Sequence, residues 1–153
     1  MAKLIVDRKY RSALSLRETE RAIKFIKDAF QNNLARDLRL QRVSAPLFVR
    51  KGTGVNDDLG GTENKVSFKI TDGRAGAEVG FSLAKWKRMV LADYKFGPGE
   101  GLYADMNAIR PDEDCLDNIH SVYVDQWDWE KILTKKHRNL AFLKTIVRKI
   151  YRA

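Results

Sequence analysis

Hydrophobic positions first recur at helical spacing between Leu16 and Leu34, where Leu16, Ile23, Ile26, Phe30 and Leu34 fall on one stripe. Residues 15 to about 36 are therefore predicted to form an amphipathic surface helix. Its start is marked by Ser15-Leu-Arg-Glu18, a capping box in which the serine hydroxyl and the glutamate carboxylate take up orphan backbone N–H groups. Val43 to Val49 is a short β-rich run that holds Pro46. Proline cannot donate to a ladder, so the run predicts an edge or interface strand. Gly52, Gly54, Gly60 and Gly61 mark a loop. Lys65 to Ile70 alternates as a strand does, Asp72-Gly73 is a hairpin-type turn, and Ala75 to Phe81 is the return strand, weakened by Gly76 and Gly80.

From Ser82, read as the N-cap, a second helix is predicted to about Tyr94. Beyond Gly97-Pro-Gly-Glu-Gly101, two strands follow, Leu102 to Arg110 and Ile119 to Trp129, joined by Pro111 to Asn118. Leu140, Leu143, Val147 and Ile150 then give a last amphipathic helix. No Gly or Asn cap and no Pro stop precedes Ala153, the pattern expected where a helix is cut inside a turn. No repeat or low-complexity tract divides residues 1–153, which are expected to form a single domain.

With 44% hydrophobic and 32% charged residues, the chain can bury a real core, and disorder is not expected. One cysteine, Cys115, builds no disulfide framework and reads as an incidental loop residue, while His120 and His137 lie too far apart for a Cys/His metal site. A reducing, cytoplasmic setting is the expectation. The Met1-Ala-Lys-Leu-Ile-Val6 run is interrupted by Asp7 and Arg8, too soon for a signal peptide, and no apolar stretch could span a bilayer.

The net charge of +9 invites a nucleic-acid partner, but its distribution argues against one. From Glu100 to Glu130 the single basic residue, Arg110, stands among nine acids, whereas eight Lys or Arg and no acid follow Glu130. A lone arginine in an acidic, aromatic segment suits a small zwitterion plus one phosphate group better than a polyanion. The basic flanks read as solvated helix faces.

Three places carry candidate chemistry. On the helix from Ser82, Lys87 interrupts the stripe of Leu83, Val90, Leu91 and Tyr94. It either snorkels to water past its own hydrophobic stem or aims a cation into a pocket to hold a carboxylate. On the last strand, period two puts His120, Val122, Val124, Gln126 and Asp128 on one face, with Tyr123, Asp125, Trp127 and Trp129 on the other. Gln126 beside Asp128 suits an ammonium group, and a polar strand end near solvent would look the same. Arg110 closes the facing strand before Pro111-Asp-Glu-Asp114. Its guanidinium could grip a phosphoryl oxygen or simply neutralise those acids. The acids could also bring in magnesium, although clustered acids in a turn are a weak signal. Phosphate loops, dinucleotide fingerprints and Ser-His-Asp or Cys-His sites have no support in the chain.

Taken together, Ser82-Leu-Ala-Lys-Trp-Lys-Arg88, Gly99-Glu-Gly-Leu-Tyr103, Ile109-Arg-Pro-Asp-Glu-Asp114 and His120-Ser-Val-Tyr-Val-Asp-Gln-Trp-Asp-Trp-Glu130 resemble the ammonia-dependent asparagine synthetases, or aspartate-ammonia ligases. The likeness extends through Arg42-Val-Ser-Ala-Pro46 to Leu14-Ser-Leu-Arg-Glu-Thr-Glu20. More distantly, the arginine-acid hairpin is similar to motif 2 of aspartyl-tRNA synthetases and the proline strand to their motif 1 dimer interface. The resemblance implies an α+β fold, a class II aminoacyl-tRNA-synthetase-like antiparallel sheet flanked by helices and here incomplete. It also implies a homodimer that uses ATP and Mg2+ to adenylate the β-carboxylate of L-aspartate, ammonia then displacing AMP to give asparagine.

Carried over by position, Arg110 would hold the α-phosphate and activated carbonyl, with Glu113 on the nucleotide side. Lys87 would hold the aspartate α-carboxylate, and Asp128 with Gln126 the α-ammonium side, with Ser82 and Asp57 completing the pocket. Two departures stand out: Phe81 occupies the position where relatives usually have histidine, and about the first half of the family's length is present. Two other readings are a non-catalytic paralogue that binds tRNA through its basic flanks and an aspartate or asparagine sensor.

Overall fold

The computed structural model describes residues 3–57, 60–61, 63–71 and 75–153. The Asp72-Gly73 turn lies outside the described residues. After a two-residue strand β1 (Lys3–Leu4), the first long element is helix α1 (Leu16–Leu38). The capping box forms as expected: Ser15 Oγ accepts from the Glu18 amide at 3.4 Å, and the Ser15 amide donates to Glu18 Oε2 at 2.8 Å. The helix ends on Arg39, whose left-handed backbone (φ 56°) turns the chain into β2 (Leu40–Arg42). This strand is absent from the sequence reading, since three residues carry no periodicity to detect. It pairs in parallel with β6 (Gly101–Ile109).

The strand expected over Val43 to Val49 is shorter and later, β3 (Phe48–Arg50). Val43 to Leu47 instead forms an irregular link, anchored where the Val43 amide donates to the Tyr103 carbonyl at 2.9 Å. β3 is nevertheless an edge strand, in a small antiparallel sheet of order β3-β5-β4 with β4 (Ser67–Lys69) and β5 (Gly76–Val79). Helix α2 (Ala84–Asp93) starts after Leu83, which makes no side-chain cap. The Ser82 cap is therefore a correction. Ser82 is held by its backbone, the amide donating to Asn56 Oδ1 (3.4 Å) and the carbonyl accepting from the Asp57 amide (2.8 Å).

β7 (Cys115–Leu116) pairs in parallel with β1, so Cys115 lies in a strand rather than a loop. β8 (Tyr123–Lys131) begins four residues later than Ile119. The reason is local: Asp117 Oδ1 accepts from the Ile119 and His120 amides at 2.8 and 2.9 Å and folds that stretch into a turn. Helix α3 (Leu140–Arg152) is capped by Asn139, whose Oδ1 accepts from the Phe142 amide at 2.9 Å.

The central sheet, β2-β6-β8, has two apolar faces. Leu102, Ala104, Met106 and Ala108 of β6 pack under α2 with Leu83, Val90 and Leu91. The opposite face packs Tyr103 and Trp129 against Leu34 and Leu38 of α1 and Ile146 and Ile150 of α3. Phe30 meets Trp127 there at 5.4 Å between ring centroids. The sheet is thus a middle layer between α2 and the α1/α3 pair.

Gly101 is where three strands meet, and a Cβ there would collide with the Glu130 carbonyl and lie 2.7 Å from Leu40 Cδ2. Gly101→Ala is expected to cost about 1 to 3 kcal/mol of stability, as overpacking does, measured by denaturant unfolding. Glu18 yields a second prediction. Hydrogen bonds from the Ser15 hydroxyl and then its backbone hold the Glu18 carboxyl below the ordinary carboxylate range. A depressed native value means that the box stabilises fully above the unfolded value and is lost as pH falls through the native one. The thermal-melting difference between wild type and Ser15→Ala should therefore be full at neutral pH and shrink on acidification below the usual glutamate range.

Candidate active site

Nine antiparallel pairs run from Gly101↔Lys131 to Ile109↔Tyr123 and fix which side chains share a face. Val124, Gln126 and Asp128 lie opposite Ala108, Met106 and Ala104, on the side that α2 covers. Asp125 and Trp127 point to α1, where Lys27 Nζ meets Asp125 at 2.9 Å and Phe30 meets Trp127. The two faces read from the sequence are those observed from Tyr123 to Trp129. His120 lies apart from them, exposed in the turn with its Nδ1 2.9 Å from Asp117 Oδ1.

Lys87 is the largest fully buried side chain among the described residues, 1% exposed, one turn beyond Leu83 and one before Val90 and Leu91. It does not snorkel. Its ammonium forms an ion pair with Asp128 Oδ2, and Asp128 Oδ1 accepts from the Trp129 amide at 2.8 Å. The pair is asymmetric, because the Asp128 side chain is 40% exposed. Gln126 Nε2 contacts Met106 Sδ at 3.2 Å, a thioether and hence a weak acceptor. The structure thus brings Lys87, Asp128 and Gln126 together. A buried cation beside an accessible carboxylate is the charge complement of an α-amino acid, whose ammonium and carboxylate would face them in the opposite sense.

Arg110 continues β6, its amide donating to the Val122 carbonyl at 2.8 Å. Its guanidinium carbon stands 5.6 Å from the centroid of the buried Phe81 ring, within cation–π range. Its Nε is buried and makes no hydrogen bond. Among the described residues no ion pair joins Arg110 to the acids that follow it. Asp112 instead accepts from the Asn64 amide (2.5 Å) and Asn64 Nδ2 (3.1 Å), which hold its carboxyl below the usual carboxylate range. Glu113 reaches Arg110 through its backbone, the amide donating to the Arg110 carbonyl at 3.4 Å. A guanidinium on an aromatic platform with an unpaired N–H can take a phosphoryl or carboxyl oxygen.

Asp57 and Ser82 meet through their backbones, the Asp57 amide donating to the Ser82 carbonyl at 2.8 Å. The Asp57 carboxylate pairs with Lys85 Nζ at 2.8 Å, in the first turn of α2. Both are organised by Asn56, 3% exposed, which the sequence reading missed. An asparagine in a glycine-rich loop reads as a turn residue, and no spacing signal separates that from a buried clasp.

Among the described residues no group of three or more His, Cys, Asp or Glu is arranged to hold a metal ion. A cavity of about 670 Å³ lies between the end of β8 and α3, lined by residues such as Trp129, Leu133, Phe142 and Ile146. It is mostly apolar and touches none of the candidate residues. No helix among the described residues is long and apolar enough to cross a membrane.

A long antiparallel hairpin ending in an arginine, layered between helices, defines a class II aminoacyl-tRNA-synthetase-like fold. Solved structures agree. Pyrrolysyl-tRNA synthetase from Desulfitobacterium hafniense superposes with a TM-score of 0.57 at 11% identity, covering 95% of this chain and 60% of that one. An ATP phosphoribosyltransferase regulatory subunit/histidyl-tRNA synthetase from Bacillus halodurans gives 0.55 at 12% identity, over 94% and 37%. Within that fold the family is narrower. The aspartate-ammonia ligase family profile matches residues 17–153, and the chain belongs to that family. It is 59% identical over its whole length to an aspartate--ammonia ligase of Bacteroides thetaiotaomicron and 60% identical over 99% to one of Clostridium perfringens. The chain spans 44 to 45% of the length of these curated relatives.

The ion pair makes an unequal prediction. Asp128→Asn strands a charged lysine that is 1% exposed and should cost about 3 kcal/mol. Lys87→Met leaves a carboxylate that water already reaches and should be nearly neutral or stabilising. Denaturant midpoints of the two variants provide the comparison, and equal losses would show that Lys87 finds another way to solvent.

Proposed function

We propose that this chain forms the aspartate-binding and α-phosphate-binding part of an ATP-dependent ligase that converts L-aspartate and ammonia to L-asparagine, releasing AMP and pyrophosphate. The observation that carries the reading is the buried Lys87 paired with the half-exposed Asp128 on the hairpin that ends in Arg110. Lys87 holds the α-carboxylate of aspartate, and Asp128 with Gln126 holds the α-ammonium. The β-carboxylate, carrying neither charge partner, is left to react.

In the first step a β-carboxylate oxygen attacks the α-phosphorus of ATP, and the bond from that phosphorus to the bridging oxygen of pyrophosphate breaks. A free carboxylate is a poor electrophile, whereas the acyl adenylate carries a good leaving group. Ammonia's lone pair then attacks the acyl carbon, AMP departs with the bonding electrons, and the nitrogen loses a proton. Arg110, aimed by Phe81, offsets the charge that gathers on the phosphoryl and carbonyl oxygens, with Glu113 beside it on the nucleotide side. Ser82 and Asp57 close the pocket. ATP enters as a substrate with Mg2+. The described residues do not gather a metal-ligand set. Exposed Leu47 and Phe48 next to and on the edge strand β3 support a homodimer, and a single cysteine, present as a free thiol, suits the cytoplasm.

The test is aspartate- and ammonia-dependent formation of AMP and pyrophosphate by the chain, alone and together with the C-terminal half of a relative. Arg110→Ala should lower the rate of the complemented protein roughly 100- to 1000-fold, the usual effect of removing one transition-state donor. Asp128→Asn should raise the KM for aspartate more than that for ATP. No AMP from the complemented protein would sink the ligase reading. Salt-sensitive tRNA binding that survives Arg110→Ala would favour a nucleic-acid module instead.

A further inference from the structure

We propose that Asn56 is a positioning residue of this reaction, its buried carboxamide tying the Val79–Ser82 corner so that Phe81 aims Arg110 while Ser82 and Asp57 meet the start of α2. The proposal rests on the ligase reading above. Its basis is an almost complete set of hydrogen bonds. Asn56 Oδ1 accepts from the Phe81 amide at 2.8 Å and the Ser82 amide at 3.4 Å. Its Nδ2 donates to the Val79 carbonyl at 2.9 Å and meets Glu78 Oε2 at 3.5 Å. The Asn56 carbonyl accepts from Lys65 Nζ at 2.8 Å, and the next amide, that of Asp57, donates to the Ser82 carbonyl at 2.8 Å.

These bonds do more than satisfy a loop. Phe81 is the ring beneath Arg110, so the Phe81 amide bond sets the platform on which the guanidinium rests. Ser82 leads into α2 with no side-chain cap, so the Asn56 and Asp57 contacts, with the Asp57–Lys85 pair, fix where the helix carrying Lys87 begins. One carboxamide therefore links the phosphate end of the site to the amino-acid end. Asn56 is 3% exposed and so lies behind the pocket wall. It acts on the reaction through Phe81 and Ser82. An asparagine is required because the corner presents donors and acceptors together, which no single-function side chain of that size can match.

The experiment uses Asn56→Ala in the complemented, active protein, assayed well below its melting temperature. A displacement of about 1 Å in a catalytic group can cost on the order of 100-fold. The kcat for AMP formation is therefore expected to fall roughly 10- to 100-fold while the KM for ATP changes little. Phe81→Leu should lower kcat as well, and the two losses should not multiply in the double variant, since both act through Arg110. The Arg110 Nε–Hε resonance should shift in Asn56→Ala, a change that lost stability alone would not produce in the folded protein. A folded variant with wild-type kcat and an unmoved Arg110 resonance overturns the proposal. If Asn56→Ala does not fold, Asn56→Asp, which keeps the acceptor and loses the donation to Val79, carries the same test. If the wild type forms no AMP, the ligase reading fails, and the Arg110 resonance alone decides: a shift supports the role of Asn56, and no shift overturns it.

Discussion

The nine-pair antiparallel ladder between β6 and β8 is the constraint on which the other contacts depend. Because side chains alternate along a strand, a slip of one residue would exchange the two faces of the sheet entirely. Asp128 would then point to α1 and Trp127 to α2, placing an indole against Lys87 and a carboxylate against Phe30. In the observed register, Trp127 and Trp129 lie with the apolar residues of α1 and α3, and Asp128 lies with the one buried cation of α2. Core packing and charge pairing thus select the same register independently, which is what a uniquely specified sheet requires.

The second constraint is how α2 is placed over that sheet. A ten-residue helix without a side-chain cap has little stability of its own. It is held through its apolar face, through Lys87 to Asp128, and at its start by the clasp that Asn56 and Asp57 form with Ser82. The same clasp orients Phe81 beneath Arg110. The Phe81 ring offers a π face rather than a hydrogen bond, and a guanidinium can use that face directly.

What was legible in the sequence was whatever local chemistry or periodicity determines. The Ser15–Glu18 box, the helix α1 and the alternation of β8 are of this kind, and each is found, although only Phe30 and Leu34 of the α1 stripe pack on the sheet while Leu16, Ile23 and Ile26 are exposed. The reading of Lys87 was legible as a question, since the interruption of its stripe is local while the partner lies 41 residues away. The structure decides between solvent and pocket because it supplies Asp128. Parallel pairing of β2 with β6 and of β1 with β7 joins short segments far apart in the chain, and nothing in two or three residues announces a parallel partner. Ser82 is not a cap for the converse reason: a serine before an apolar run satisfies the local rule, but a distant asparagine engages its backbone. Asn56 itself is invisible to pattern, because its role resides in four groups contributed by another strand and corner.

Stability alone does not account for the Lys87–Asp128 pair. Burying an ammonium costs several kcal/mol, and a single carboxylate repays this only when both charges share the low-dielectric interior with good geometry. Here one partner is 1% exposed and the other 40%, so water weakens the attraction on the carboxylate side while the lysine bears the full desolvation cost. Leu83, Val90 and Leu91 surround Lys87 on its helix face, and a methionine there would continue their packing without that cost. An arrangement that is inferior as structure but leaves a carboxylate accessible over a buried cation is suited to exchange partners. On the ligase reading proposed above, the carboxylate of an arriving α-amino acid would take over the lysine and its ammonium the aspartate, each protein charge gaining a partner that solvent does not compete for. On that reading the energy withheld from folding would be available for binding, enough for a small zwitterion with few contacts to offer to be held while its remaining carboxylate reacts.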